Sequence, residues 1–190
     1  MGTFEQRLVD LFAEIHPLDQ IARAGFVLRG VAEPESVAAH SHFVSLMTLL
    51  ICDEHPDLFD RERAVAMALI HDLCEARLMD IPMPTGDAHL SEVKDEVEQA
   101  ITEELFEGFP PRYGELHREL IELKTPEAKL VRGIDKAQMM IKILCYEREG
   151  RGRLGEFWES PKNFPDYGLA PLSDLFDAIC RAAGRERPTS

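Results

Sequence analysis

Apolar residues recur at helical spacing along nearly the whole chain. Phe4, Leu8, Leu11, Phe12 and Ile15 share one face of a predicted helix that stops before Pro17, and a second short helix is expected around "LDQIARAGF". Both read as packing segments. Ser36 is the predicted N-cap of a helix running from about 37 until Pro56, with Val37, His40, Val44, Met47 and Ile51 along one side. Asp60 caps the next helix, which reaches roughly 77 before "LMDIPMPTG" forces a loop, so His71, Asp72 and Glu75 fall on its last turns. A charged helix is expected over about 88 to 107, its apolar side formed by Val93, Val97, Ile101 and Leu105, until "GFPP" breaks it. "RYGELHRELIEL" makes a short helix, Pro126 opens a long one through about 149, "EGRGRLGEF" interrupts, and "LSDLFDAICRAAG" closes the chain. Period-two alternation and internal repeats are almost wholly lacking, so the expected architecture is a compact, all-α fold.

A length of 190 residues with 45% hydrophobic content suits one domain over 1–190. The net charge of −14 argues against a long nucleic-acid partner, which needs a clustered basic face. A small phosphorylated substrate remains open, because two or three arginines and a metal ion in one cleft outweigh the overall field locally. Cys52, Cys74, Cys145 and Cys180 form no C-x-x-C pair and read as reduced core thiols suited to a cytoplasmic protein. The amino-terminal residues carry acids among apolar positions, which excludes a secretory signal, and no run approaches the ~18 apolar residues of a membrane span.

Three polar intrusions into apolar helices suggest chemistry. A buried imidazole at His40 needs a hydrogen-bond partner or a metal for its second nitrogen. His71 and Asp72 are successive residues, so both reach one point only if it lies between them, as a metal ion would. Asp135, sharing a face with Val131 and Met139, is either a buried salt-bridge acid or a ligand. Together these residues make a four-ligand set of two nitrogens and carboxylate oxygens. It suits one divalent ion such as Mn, Fe, Co, Ni, Zn or Mg, with positions left for water.

The segments "RAGFVLRGVAEPESVAAHS", "ALIHDLCEARLMDIP" and "RGIDKAQMMIK" resemble the HD-domain phosphohydrolases, most closely the bacterial 5'-deoxynucleotidases and their eukaryotic relatives. The resemblance spans about 23 to 149, leaving 150–190 as a C-terminal packing segment. It implies an HD-domain fold and metal ligation by His40, His71, Asp72 and Asp135. It places Glu75 as the acid beside the attacking water and Asp80 as the active-site loop aspartate. Arg23, Phe26 and Arg29 look like the family's arginine-aromatic-arginine substrate-binding stretch, which implies phosphate contact by Arg23 or Arg29. In the bacterial branch the phosphate-binding arginine directly precedes the aromatic residue, whereas Arg23 stands three positions before it. Ala39 stands where an acid is usual before the first His, Met79 where a glycine precedes the loop Asp, and Phe26 where Trp is common.

The implied activity is metal-assisted hydrolysis of nucleoside 5'-monophosphates, deoxynucleotides in particular. Two other readings are a diiron oxygenase on the same scaffold and a non-catalytic nucleotide-binding domain. The first needs a second metal and so depends on His89 and His117, whose settings "GDAHLSE" and "ELHREL" instead read as polar helix edges. Phe157, Trp158 and Phe164 are spare apolar residues that permit a homodimer.

Overall fold

The computed structural model describes residues 2–82, 90 and 93–189. Among them the architecture is all-α, with one isolated antiparallel bridge between Ala22 and Ser36 and no strand. After α1 (Phe4–Ile15) and a 3-10 turn (His16–Asp19) come α2 (Ala24–Val27), α3 (Val37–Glu54), α4 (Arg61–Ile70) and α5 (Glu75–Leu78). The order continues with α6 (Lys94–Leu105), α7 (Arg112–Glu122), α8 (Pro126–Arg148), α9 (Gly155–Glu159) and α10 (Ala170–Ala183). Both predicted caps form: Ser36 Oγ accepts from the Ala39 amide and Asp60 Oδ1 from the Arg63 amide.

The axis of the molecule is α8, which packs against α3, α4, α7 and α10. Its Leu130, Val131, Ile134, Met140 and Ile143 are fully buried. Burying a side chain of this size stabilises the fold by roughly 1.5–3 kcal/mol, so α8 is a rigid base for the polar residues it also carries. At Gly133 an added Cβ would stand 2.2 Å from Leu172 Cδ1, and the missing side chain lets α10 approach α8 this closely.

Several expectations are corrected. The α1 helix forms, yet it buries only Leu11 and leaves Phe4, Leu8 and Phe12 exposed, because its principal neighbour is the following 3-10 turn. The helix expected around "LDQIARAGF" is divided between that turn and α2. Between them the backbone pairs with the stretch before α3, Arg23 N donating to Glu35 O and Val37 N to Ile21 O. On α6 the buried residues are Glu98, Thr102 and Leu105, while Val93 and Val97 are exposed. Gln99 donates to Gly114 O and its Oε1 meets His117 Nδ1, which turns that polar side toward α7. The expected start of this helix near 88, the tip of the proline loop and His89 lie outside the described residues. Trp158 and Phe164 belong to the main core, each 3% exposed, and so are not spare surface.

Candidate metal centre

The helix expected to reach 77 ends at Ile70, and the chain tightens there into successive three-residue turns. Leu73 N donates to Ile70 O, Glu75 N to Asp72 O and Ala76 N to Leu73 O. That tightening brings the neighbouring side chains together: His71 Nε2 and Asp72 Oδ2 are 3.1 Å apart. His40 enters from α3, its Nε2 lying 3.7 Å from Asp72 Oδ2 and 3.1 Å from Asp135 Oδ1 on α8. Donor atoms of His40, His71 and Asp72 all lie within 4.8 Å of one another, the separation of ligands around one ion. Asp135 adjoins this trio through His40.

Hydrogen bonds behind the rings dictate their tautomers. His71 Nδ1 lies 2.8 Å from Ala68 O, a carbonyl that can only accept, so Nδ1 carries the proton. His40 Nδ1 lies 2.6 Å from Gln138 Oε1, and Gln138 Nε2 donates to Glu35 Oε2 at 3.0 Å. The Glu35 carboxylate thereby fixes which end of the amide faces His40. In the neutral rings both Nε2 atoms keep their lone pairs, and both are buried without a hydrogen bond. Two orphaned nitrogens aimed beside Asp72 and Asp135 are what a divalent ion requires, so the residues fit the group. Sequence reasoning missed Glu35 and Gln138. The available signal was a polar residue three positions after Asp135 on a buried helix. Gln138→Leu is expected to weaken divalent-metal affinity roughly 10- to 100-fold, read by competition with a chromogenic chelator. Affinity equal to the parent's would remove Gln138 from the support of His40.

The carboxylates are held apart electrostatically. Arg23 Nη1 is 3.3 Å from both Asp72 Oδ2 and Asp80 Oδ1, and its Nη2 is 3.9 Å from Asp135 Oδ1. Burial alone would raise Asp72, but His71 and Arg23 outweigh it and hold that carboxyl well below the usual range. The same holds for Asp135, where burial is overcome by Lys136, His40 and Arg23. Glu75 behaves oppositely: burial, followed by the adjacent Asp72 charge, pushes it up to about 10, and its buried Oε2 has no hydrogen-bond partner. Asp80 accepts from the Ala24 amide, capping α2 and joining that helix to Arg23. Before it, Met79 sits at φ 66° and ψ 166°, a positive-φ extended conformation that favours glycine and costs another residue about 1–3 kcal/mol.

These groups open onto a cavity of about 580 Å³. Among the described residues six bases and six acids line it, a balance that contrasts with the 21 bases and 35 acids of the whole chain. Phe26, 2% exposed, meets Tyr146 edge-on at 5.3 Å and lies 6.2 Å from Phe157. Arg29 is bonded to Glu156 and lies over the Phe157 ring at 5.5 Å. One wall therefore comes from the segment after α8. It is tied down where Arg153 N donates to Arg29 O and Arg151 reaches the Ala32 and Glu33 carbonyls.

His117 is not the surface residue its setting suggested. It is 2% exposed, and burial, aided by Arg132, lowers it to about 4. Its Nδ1 meets Gln99 Oε1 at 3.0 Å, and it is no member of the donor cluster.

A family model described as HD domain matches residues 15–163. The 5'-deoxynucleotidase HDDC2 of Danio rerio is 35% identical over 182 residues, covering 90% of this chain and 88% of that protein. A conserved hypothetical protein from Pyrococcus furiosus has a structure that superposes with a TM-score of 0.77 at 32% identity, over 91% of this chain and 99% of that one. The cyanophage S-2L HD phosphohydrolase, whose structure holds dA and one catalytic Zn2+ ion, superposes at a TM-score of 0.59. At 22% identity, over 90% of this chain and 95% of that one, it shares the fold.

Proposed function

The chain belongs to the HD-domain family, and from that membership we propose that it is a divalent-metal-dependent phosphohydrolase releasing phosphate from nucleoside 5'-monophosphates, with deoxynucleotides preferred. The observation that carries the reading is the pair of buried, lone-pair-bearing Nε2 atoms of His40 and His71 beside Asp72. A set of this kind, next to a cavity lined by six bases and six acids among the described residues, suits an anionic substrate of nucleotide size.

His40, His71, Asp72 and Asp135 would hold one ion. When bound, it supplies Lewis-acid polarisation of a phosphoryl oxygen and of water. The protein's own groups do the rest. Glu75, kept protonated by burial, holds a proton at Oε2 and exchanges it with the attacking or leaving oxygen. Arg23 balances three carboxylates, and Asp80 fixes Arg23 together with the start of α2. Phe26 gives the sugar an apolar wall. Placing a 2'-hydroxyl against it costs on the order of 1–3 kcal/mol, a preference rather than a barrier. Arg29, held by Glu156, forms part of the substrate cavity beside Phe157.

We read residues 1–190 as one domain, since the segment after α8 builds part of the core and of the cavity. Three buried free thiols, Cys52, Cys74 and Cys180, suit a reducing cytoplasm, while Cys145, expected in the core, is exposed on α8. Among the described residues no helix is long and apolar enough to cross a membrane. Phe43, Leu46 and Leu50 form an exposed apolar stripe on α3 that supports a homodimer, in place of Trp158 and Phe164. The decisive test is phosphate release from matched 5'-, 3'- and 2'-monophosphates and a short oligonucleotide, with Mn, Co, Ni, Zn or Mg supplied in turn. The 5'-esters should be cleaved fastest. Faster 3'-ester cleavage with every metal, or cleavage of the oligonucleotide, would defeat the assignment.

A further inference from the structure

The cavity's basic residues are not equally available to an anion. Arg23 faces three carboxylates, Arg29 is bonded to Glu156, Lys94 Nζ lies 3.3 Å from Glu98, and Lys136 Nζ lies 3.4 Å from Asp135 Oδ2. Lys162 is engaged as well. Arg132 differs: among the described residues it makes no hydrogen bond or ion pair, although it is half-buried and lines the cavity. Glu98, itself 3.3 Å from Lys94, attracts this half-buried guanidinium without bonding it, so an anionic ligand would give Arg132 the close partner it lacks.

Its position on α8 is specific. Arg132, Asp135, Lys136 and Met139 all line the cavity and follow one another at i, i+3, i+4 and i+7, the spacing of a single helix face. Arg132 thus stands one turn before Asp135, on the rigid helix that carries this proposed ligand. An arginine fork there presents paired donors to the oxygens of a phosphate.

We propose that Arg132 is the residue that binds the substrate's phosphate, a role that the sequence pattern directs to Arg23 or Arg29. Resting on the phosphohydrolase reading, the inference adds a cation on α8 to the reaction site. Arg23 then serves chiefly to hold Asp72, Asp80 and Asp135 in place, while Arg132 supplies charge to the ligand.

The test uses the full chain loaded with Mn, titrated calorimetrically with inorganic phosphate and assayed with deoxyadenosine 5'-monophosphate, for the parent and for Arg132→Ala, Arg132→Met and Arg132→Lys. Loss of a charged hydrogen-bonding partner should weaken phosphate binding on the order of 10- to 100-fold in the Ala and Met variants. KM should rise more than kcat falls, the Lys variant should recover part of both, and bound metal should remain at the parent's level. Phosphate affinity and KM unchanged in Arg132→Ala, or a parent that binds no phosphate, would overturn the role of Arg132. A parent that binds phosphate through Arg132 yet hydrolyses no monophosphate would instead sink the nucleotidase reading and leave the anion site standing. Should the Ala variant fail to fold, the Met and Lys variants decide between the same outcomes.

Discussion

Asp135→Ala is expected to release the divalent ion and reduce phosphate release to background. Asp135 is buried on α8 with Oδ1 3.1 Å from His40 Nε2, and its charge is maintained by Lys136, His40 and Arg23. Without it, two neutral imidazoles and one carboxylate face a divalent cation, with Arg23 still present as a competing positive charge. Metal affinity depends on deprotonated, charge-balancing ligands, so occupancy should fall from about one ion per chain to near zero. Elemental analysis of the parent and variant reads this directly. An Asp135→Ala protein that keeps its metal would assign Asp135 to its ion pairs with Lys136 and Arg23 instead.

The second large effect separates binding from chemistry. Glu75→Gln should retain metal and substrate affinity while turnover falls roughly 10²–10⁴-fold, the span associated with a general acid or base. The same variant tests the state of the acid through stability. In the metal-free protein Glu75 is raised from 4.5 to about 10, first by burial and then by Asp72. Between those values the unfolded chain releases a proton that the folded chain retains, so unfolding becomes more favourable as pH rises. The contribution is complete below about 4.5 and is lost progressively toward 10. Thermal melts of metal-free protein from pH 5 to 9 should therefore slope downward with pH in the parent and less so in Glu75→Gln. Identical slopes would leave Glu75 ionised and remove it as a proton store.

The fold class was legible because helix signals are local. Ser36, Asp60 and Pro126 marked three helix starts correctly, since capping and proline chemistry act within a few residues. The gathering of His40, His71 and Asp72 was legible in part, as polar residues interrupting apolar faces. What failed depended on distant partners. Nothing near Val97 reveals that Gln99 will be recruited by α7, and nothing near His117 reveals its burial against that glutamine. Trp158 looked spare because its place in the core is supplied by packing across the fold. The break after Ile70 was also hidden. Its sequence continues a helical pattern, and the tightened turn is evident only from which carbonyls accept which amides.

The wall formed after α8 has a different implication, one for the way such enzymes diversify. Gly152 turns at φ +74°, and an added Cβ would stand 2.6 Å from Val31 Cγ2, so the chain can double back toward α2 only through a tight, side-chain-free bend. Beyond that bend, Glu156, Phe157, Ser160 and Asn163 line the cavity, while the proposed metal ligands all lie earlier in the chain. Part of the recognition surface is thus written in a stretch of sequence separate from the proposed ligands, although Phe26, Arg29 and Arg132 are not. Mutations in 155–163 can reshape which base or sugar is accepted while leaving His40, His71, Asp72 and Asp135 untouched, so substrate range can drift without the reaction itself being reinvented.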